Sequence, residues 1–299
     1  MIVKSIFASM RPPFLLLTGS VMVLMLAYVE YQAIPWSYHL FLLILIGAIA
    51  AHISVNMLNE YDDYHSGLDF LTSKTPFSGG SGALTEHAQA AEWVGQVGYL
   101  FLGMVVSIGA FFIFLRGWAI LPIGLVGILI IVSYTTFLTR YPLWCLMVSG
   151  LAFGPLMMNG GYFVLTGQFS LTLFALSLIP FFLVNNLLLL NQVPDMEADR
   201  QVGRFNLLHK YGVSASMNLF ILHWVLAFVV LGGLIAFGDL PVSASMGFLA
   251  LFLSLPVVLK VKYLSATEKN ALNPIMGLNV ALTLLMPLFI AGGLYYASP

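Results

Sequence analysis

Two short windows of the chain concentrate oxygen ligands. The first runs Asn59-Glu60-Tyr61-Asp62-Asp63-Tyr64-His65-Ser66-Gly67-Leu68-Asp69, and the second Asn191-Gln192-Val193-Pro194-Asp195-Met196-Glu197-Ala198-Asp199. Together they hold seven of the twelve acids. Asn59 and Asp63 are four residues apart; Asn191, Asp195 and Asp199 are spaced four and eight. On a helix such residues stack on one face. Stacked carboxylates repel, and a helix C-terminus already carries partial negative charge, so two such faces need a cation. Oxygen ligands without a cysteine or histidine pair favour Mg²⁺, which takes a few carboxylates and completes its shell with substrate phosphate. The implied ligand is a phosphorylated molecule bridged by metal between the two windows. The plainer reading, solvated loop acids, does not account for two windows that each begin with Asn and place an acid four residues later.

Bases follow both windows: Lys74 after the first, and Arg200, Arg204 and Lys210 after the second. A diphosphate leaving group needs metal and Lys/Arg together to stabilise its developing charge. Each base alone is also explained by the general basicity of cytoplasmic loops. Thr75-Pro76-Phe77-Ser78-Gly79-Gly80-Ser81-Gly82 has the composition of a backbone anion nest or of a flexible loop.

The elements that position these windows must lie in a membrane. Of 299 residues 60% are hydrophobic and 8% charged, against about 25% charged in soluble domains. A soluble globule is excluded. So is a nucleic-acid binder, since 11 bases balance 12 acids and leave no basic footprint. The single Cys145 excludes an internal disulfide. Apolar runs long enough to span occur at 13–32, 37–58, 94–115, 118–138, 143–166, 171–191, 216–237, 242–262 and 274–296. The expected fold is an all-α integral membrane protein with nine transmembrane helices, in one domain covering 1–299, with a pseudo-repeat of the motifs at 59–69 and 191–199. Both windows then fall at helix ends on the side of the N-terminus. Ten of the eleven bases share that side and Arg116 alone faces the other. The positive-inside rule places the N-terminus and both windows in the cytoplasm. Pro155, Pro180 and Pro287 lie inside spans and predict kinks.

At these residues the chain resembles the UbiA superfamily of intramembrane prenyltransferases, most closely its menaquinone branch, the 1,4-dihydroxy-2-naphthoate polyprenyltransferases. The resemblance covers essentially the whole chain. It rests on Asn59 to Asp69, Asn191 to Asp199, the Thr75–Gly82 loop, and Gly154-Pro155-Leu156 with Gly160, Gly161, Tyr162 and Thr166-Gly167. Gly67 stands where the ubiquinone-type branch carries an acid, which here arrives as Asp69. Glu60 replaces the usual Asp. Gly203-Arg204-Phe205-Asn206-Leu207 lacks one base of the usual Gly-Lys-Arg-Thr-Leu.

The resemblance implies a polyprenyl diphosphate donor, an aromatic acceptor and Mg²⁺ held by Asn59, Asp63, Asn191, Asp195 and Asp199 with Asp69. Asp63, Asp195, Lys74 and Tyr134 are the candidate catalytic residues. Arg11, Lys74, Arg140, Arg200, Arg204 and Lys210 are the candidate diphosphate ligands, with Arg140 or Lys74 also suited to an acceptor carboxylate. Tyr134 leans toward the allylic cation on this reading; on the plainer one it packs in the bundle. His52 and Asn56 are expected on the pocket wall and His65 in a loop. The expected location is a bacterial inner membrane, with the site toward the cytoplasm and the lipid bilayer as surroundings. Hydroxybenzoate and homogentisate are alternative acceptors. A membrane transporter is the rival class, although no charged residue lies centrally in a predicted span, where transporters bind.

Overall fold

The computed structural model describes residues 1–72, 74–75, 77–134, 136–263 and 269–299, with side chains in the last stretch from residue 272 onward. Among the described residues every regular element is helical. A short α1 (Ile2–Ser9) precedes α2 (Pro12–Tyr31), α3 (Tyr38–His65), the single turns α4 (Leu68–Leu71) and α5 (Ala83–Glu86), and α6 (Ala91–Arg116). Then come α7 (Leu121–Ser133), α8 (Pro142–Leu151), α9 (Met157–Thr166), α10 (Leu171–Gln201), α11 (Leu207–Ala236), α12 (Leu251–Val261) and α13 (Lys269–Tyr296).

Local signals set the boundaries. Pro12 and Pro142 open α2 and α8, where a missing N–H costs little. Ser37 and Ser170 cap α3 and α10 by accepting the amides of Leu40 and Leu173. Asn206 and His209 form a reciprocal capping box at α11.

Among the described residues, eight helical stretches are long and apolar enough to cross a membrane. The fourth expected span, 118–138, is a shorter helix, Trp118–Ser133. At its end Ser133 Oγ donates to the Leu129 carbonyl at 2.5 Å and Thr136 Oγ1 to that of Val132 at 3.5 Å. Such side chains compete with the helical backbone. Of Pro155, Pro180 and Pro287, Pro155 alone changes the winding, inside the wider π turn Ala152–Leu156 that joins α8 to α9. Pro180 and Pro287 sit within helices that continue past them. The break in α11 comes instead at Gly212, at φ 82° and ψ 164°.

α2 and α10 are the most buried spans and α6 the least buried. The main core joins Leu17, Met22 and Met25 of α2 to Leu176 and Leu183 of α10, Leu231 of α11 and Met286 of α13. Unpaired polar groups are costly in hydrocarbon, and several of the buried ones here tie helices together. Thr18 Oγ1 meets His52 Nδ1 at 2.9 Å, and Asn186 Nδ2 donates to the Phe220 carbonyl at 2.9 Å. Asn185 Oδ1 accepts the Gly150 amide at 2.9 Å.

Helix length carries the two acidic windows to their places. α3 has 28 residues and α10 has 31, roughly 42 and 46 Å at 1.5 Å per residue. A hydrocarbon layer is about 30 Å thick, so the last turns of both helices project beyond it. The two windows are continuous helix at least to His65 and Gln201, further than the hydrophobic runs alone predict.

α8 packs closely against α10 at Gly150. A Cβ at Gly150 would lie 2.4 Å from the Phe181 carbonyl oxygen and 2.5 Å from Asn185 Oδ1. Gly150→Ala is therefore expected to lower stability by about 1–3 kcal/mol, read as a drop in melting temperature in detergent; an unchanged melting temperature would show that the helices separate freely.

Candidate active site

Asn59 and Asp63 share one face at the end of α3, and Asn59 Nδ2 donates to Asp63 Oδ2 at 2.8 Å. Gly67, at φ 80°, turns the chain into α4 and delivers Asp69, which is buried. Asn191, Asp195 and Asp199 line one face of the last turns of α10. All six border a single cavity of about 680 Å³. Arg11, Arg204, Tyr134, His52 and Asn56 border it too.

The loop after the first window closes over this end. Thr75 Oγ1 accepts the amides of Phe77 and Ser78 at 3.1 and 2.9 Å; Pro76 lies outside the described residues. Gly79, Gly80 and Gly82 all have φ between 71° and 82°. The Gly79 amide and Ser78 hydroxyl reach Asp195 of the second window. A Cβ at Gly80 would sit 2.9 Å from Asp69 Oδ1, so this close approach requires glycine.

Two arginines supply the counter-charge. Arg204 follows Gly203, whose φ of 75° reverses the chain after α10. Its guanidinium pairs with Asp63 across the two windows and also feels Asp199. Burial alone lowers the Arg204 pKa, but the contact with Asp63 and the field of Asp199 hold it above its usual value. Asn206 Nδ2 donates to Asp199 Oδ2 at 3.1 Å. Arg11 Nη2 pairs with Glu60 Oε2 at 3.0 Å. Burial pushes the Asp69 carboxyl up to about 7, Glu60 and Asp63 add to the rise, and Arg11 and Lys74 oppose it.

Asp69 Oδ2, Asn191 Oδ1, Gln192 Oε1 and Asp195 Oδ1 are buried without a hydrogen-bond partner among the described residues. Buried oxygens without donors are costly, and a hard divalent cation is the ligand their chemistry suits. Among the described residues no three acidic, histidine or cysteine side chains converge as a self-sufficient metal cage. The donor set therefore fits a cation that takes one or two carboxylates and completes its shell from asparagine and a bound phosphate.

Beyond this polar end the cavity is apolar. Its α3 wall runs from Ile44 to Asp63, roughly 28 Å of helix. Val105, Ile108 and Phe112 of α6 face Ile123, Leu125 and Ile131 of α7 along it. Val106 and Leu125 border the cavity and are exposed, so a lateral opening would lie at the α6–α7 wall.

Four expected diphosphate ligands lie off this wall. Arg140 and Arg200 are exposed. Lys210 lies over the Tyr211 ring at 5.2 Å. Lys74 Nζ turns to the Gly82 carbonyl at 3.2 Å and Thr85 Oγ1 at 2.9 Å. Tyr134 is on the wall, its hydroxyl accepting from Ser149 Oγ at 3.4 Å. His65 faces outward to Glu92 at 3.5 Å. Gln192 and Asn206 were not singled out by spacing; Asn206 has a signal in the sequence, since an Asn before an apolar helical run is a cap.

A helical membrane bundle whose apolar cavity ends in paired acidic helix termini is the architecture of the intramembrane prenyltransferases. A model described as the UbiA prenyltransferase family matches residues 15–276, and the chain belongs to that family. It is 27% identical over 219 residues to a 1,4-dihydroxy-2-naphthoate octaprenyltransferase of Bacillus subtilis (strain 168), covering 73% of this chain and 68% of that one. Among solved structures it superposes on a digeranylgeranylglyceryl phosphate synthase at 15% identity and TM-score 0.65, with 99% of each chain covered. A UbiA homologue from Archaeoglobus fulgidus bound to DMAPP and Mg²⁺ matches at 15% identity and TM-score 0.64, over 96% of this chain and 99% of that one. The protein is an integral membrane prenyltransferase.

Removing one member of a buried ion pair strands the other. Arg204→Ala is expected to lower stability by on the order of 3 kcal/mol, and Asp63→Asn in the same background to recover most of it. Melting temperatures of the single and double variants measure this; additive losses would show that the pair is not coupled.

Proposed function

We propose that the protein transfers a polyprenyl group from an allylic diphosphate to 1,4-dihydroxy-2-naphthoate, in a Mg²⁺-dependent reaction at the cytoplasmic side of a bacterial inner membrane. The observation that carries this reading is the meeting of both acidic windows, with their unpartnered oxygens, at one end of a long apolar cavity. The name of the Bacillus subtilis relative supports the acceptor, and the DMAPP and Mg²⁺ of the Archaeoglobus homologue support the donor and metal. The ten-to-one split of bases supports the side.

Asn59, Asp63, Asp69, Asn191, Asp195 and Asp199 would hold Mg²⁺, which when bound neutralises the diphosphate and stabilises the charge of the leaving group. Arg11 and Arg204 add positive charge at the same end, aimed where the leaving oxygen becomes anionic. The Gly79–Gly80 backbone approaches closely enough to contribute amides. The apolar walls of α3, α6 and α7 accept the prenyl tail through the lateral opening and exclude water from the allylic cation. Tyr134 presents its ring on that wall, where its electron-rich face favours positive charge. Attack by the ring carbon bearing the acceptor's carboxylate forms the new carbon–carbon bond and releases CO₂.

Asp63→Asn and Asp195→Asn are each expected to cut prenyl transfer by at least a hundredfold while the protein still folds in membranes, assayed as prenylated product by mass. Full activity in both variants would refute the metal assignment. EDTA should abolish turnover and Mg²⁺ restore it. Membranes offered prenyl diphosphates with dihydroxynaphthoate, hydroxybenzoate or homogentisate should yield product from the first; product from hydroxybenzoate alone would overturn the acceptor choice.

A further inference from the structure

Glu60 stands inside the first acidic window but does not share its face. It follows Asn59 by about 100° of helical rotation. Asn59, Asp63, Arg11 and Gly80 all border the cavity, while Glu60 does not. Its side chain is fully buried, and its carboxylate is already saturated. Arg11 Nη2 donates to Oε2 at 3.0 Å. The Ser81 amide donates to Oε1 at 3.0 Å and to Oε2 at 3.1 Å, and the Ser81 hydroxyl donates to Oε1 as well. Neither carboxylate oxygen lacks a partner, in contrast to the orphaned oxygens of Asp69 and Asp195.

We infer that Glu60 is a positioning residue, not a metal ligand: it clamps Arg11 and the glycine-rich loop to the end of α3. Three separate segments meet on this carboxylate. Arg11 comes from the joint between α1 and α2, where it holds the left-handed conformation at φ 52° and ψ 59°. That conformation is strained for a residue with a side chain and persists only where its surroundings impose it. Ser81 comes from the loop, next to Gly80, which rests on Asp69 and has Arg11 Nη2 3.6 Å from its would-be Cβ. One buried charge thereby fixes the arginine and the backbone that wall the polar end of the cavity. The residue type follows from reach. Aspartate is shorter by one methylene, so it falls about one bond length short of Ser81 and Arg11 together.

This inference rests on the reading of that end as a diphosphate site. The test uses the full-length protein in detergent and compares wild type, Glu60→Gln, Glu60→Asp, Ser81→Ala and Asp63→Asn. Three readouts are taken: KM for the prenyl diphosphate, the Mg²⁺ concentration that half-saturates the melting shift with inorganic pyrophosphate, and the rate of tryptic cleavage after Lys74. In Glu60→Gln the KM should rise about tenfold, the loss of one charge-assisted hydrogen bond. Cleavage after Lys74 should quicken about tenfold as the loop opens, and Mg²⁺ half-saturation should stay within about twofold of wild type. Asp63→Asn should show the reverse, a lost Mg²⁺ response with normal cleavage. If Glu60→Gln behaves like Asp63→Asn, Glu60 is a metal ligand and the inference fails. It fails equally if KM and cleavage match wild type. Should Glu60→Gln not fold, Ser81→Ala and Glu60→Asp still decide, because wild-type cleavage rates in both would remove the clamp. Absence of any Mg²⁺–pyrophosphate shift in wild type would count against the diphosphate reading, while the cleavage rates would still judge the clamp.

Discussion

Carboxylates gathered out of water must be compensated, and that electrostatic demand organises the polar end of the bundle. α3 and α10 bring aspartates to a shared cavity, and at both helix ends the backbone adds partial negative charge. Arg204 answers Asp63 and Asp199 from beyond α10. The Ser78 hydroxyl and Gly79 amide answer Asp195 from beyond α3. Each window is thus neutralised in part by a segment that belongs to the other half or spans the gap between halves. The crossing makes the two ends one site. Oxygens still without partners, on Asp69, Asn191, Gln192 and Asp195, belong to residues that line the cavity, so the remaining demand is directed at whatever binds there.

The same demand explains the division of the cavity. Charge and amide groups are confined to the projecting turns of α3 and α10 and the segments folded on them. The rest of the wall is mostly aliphatic and aromatic. His52, one of the few polar groups further in, has its Nδ1 already engaged by Thr18 Oγ1 at 2.9 Å. A ligand with a compact anionic head and a long apolar tail matches both parts. A uniformly polar solute matches neither, which separates this architecture from a transport pathway with its charges at the bilayer midplane.

Helical spacing made the cavity-lining Asn and Asp residues legible, because residues four apart must share a face whatever the tertiary structure. It also placed Glu60 off that face, although residue type alone grouped it with the acids. Which base turns inward was harder to read. Arg200, Arg204 and Lys210 look equivalent in a charge count. Only Arg204 follows a glycine that reverses the chain at the end of α10, a signal of the kind that marks helix C-termini. Arg11 gave no such sign, since its inward turn is seen only in its pairing with Glu60, 49 residues away. Hydropathy found the spans but not the early end of α7, because the apolar run continues past Ser133 where the helix does not. The closeness of α8 to α10 at Gly150 depends on partners far apart in sequence, which no local pattern reports.

The length of α3 and α10 connects these points to chemistry. An acid placed one or two turns earlier would lie in hydrocarbon, where an unpaired carboxylate is strongly disfavoured. An acid placed later, beyond the helix, would lose the facing partner that makes the two windows a pair. The projecting turns are the one stretch where carboxylates can be ionised, mutually aligned and still adjacent to an apolar channel. On the proposed reading, the bond that breaks lies at that boundary. Its diphosphate half stays with the charges and can leave toward water, and its allylic half stays in the channel, where water does not compete with the acceptor. The position of a few acids along two helices therefore sets both where the charge separates and which half of the substrate each environment keeps.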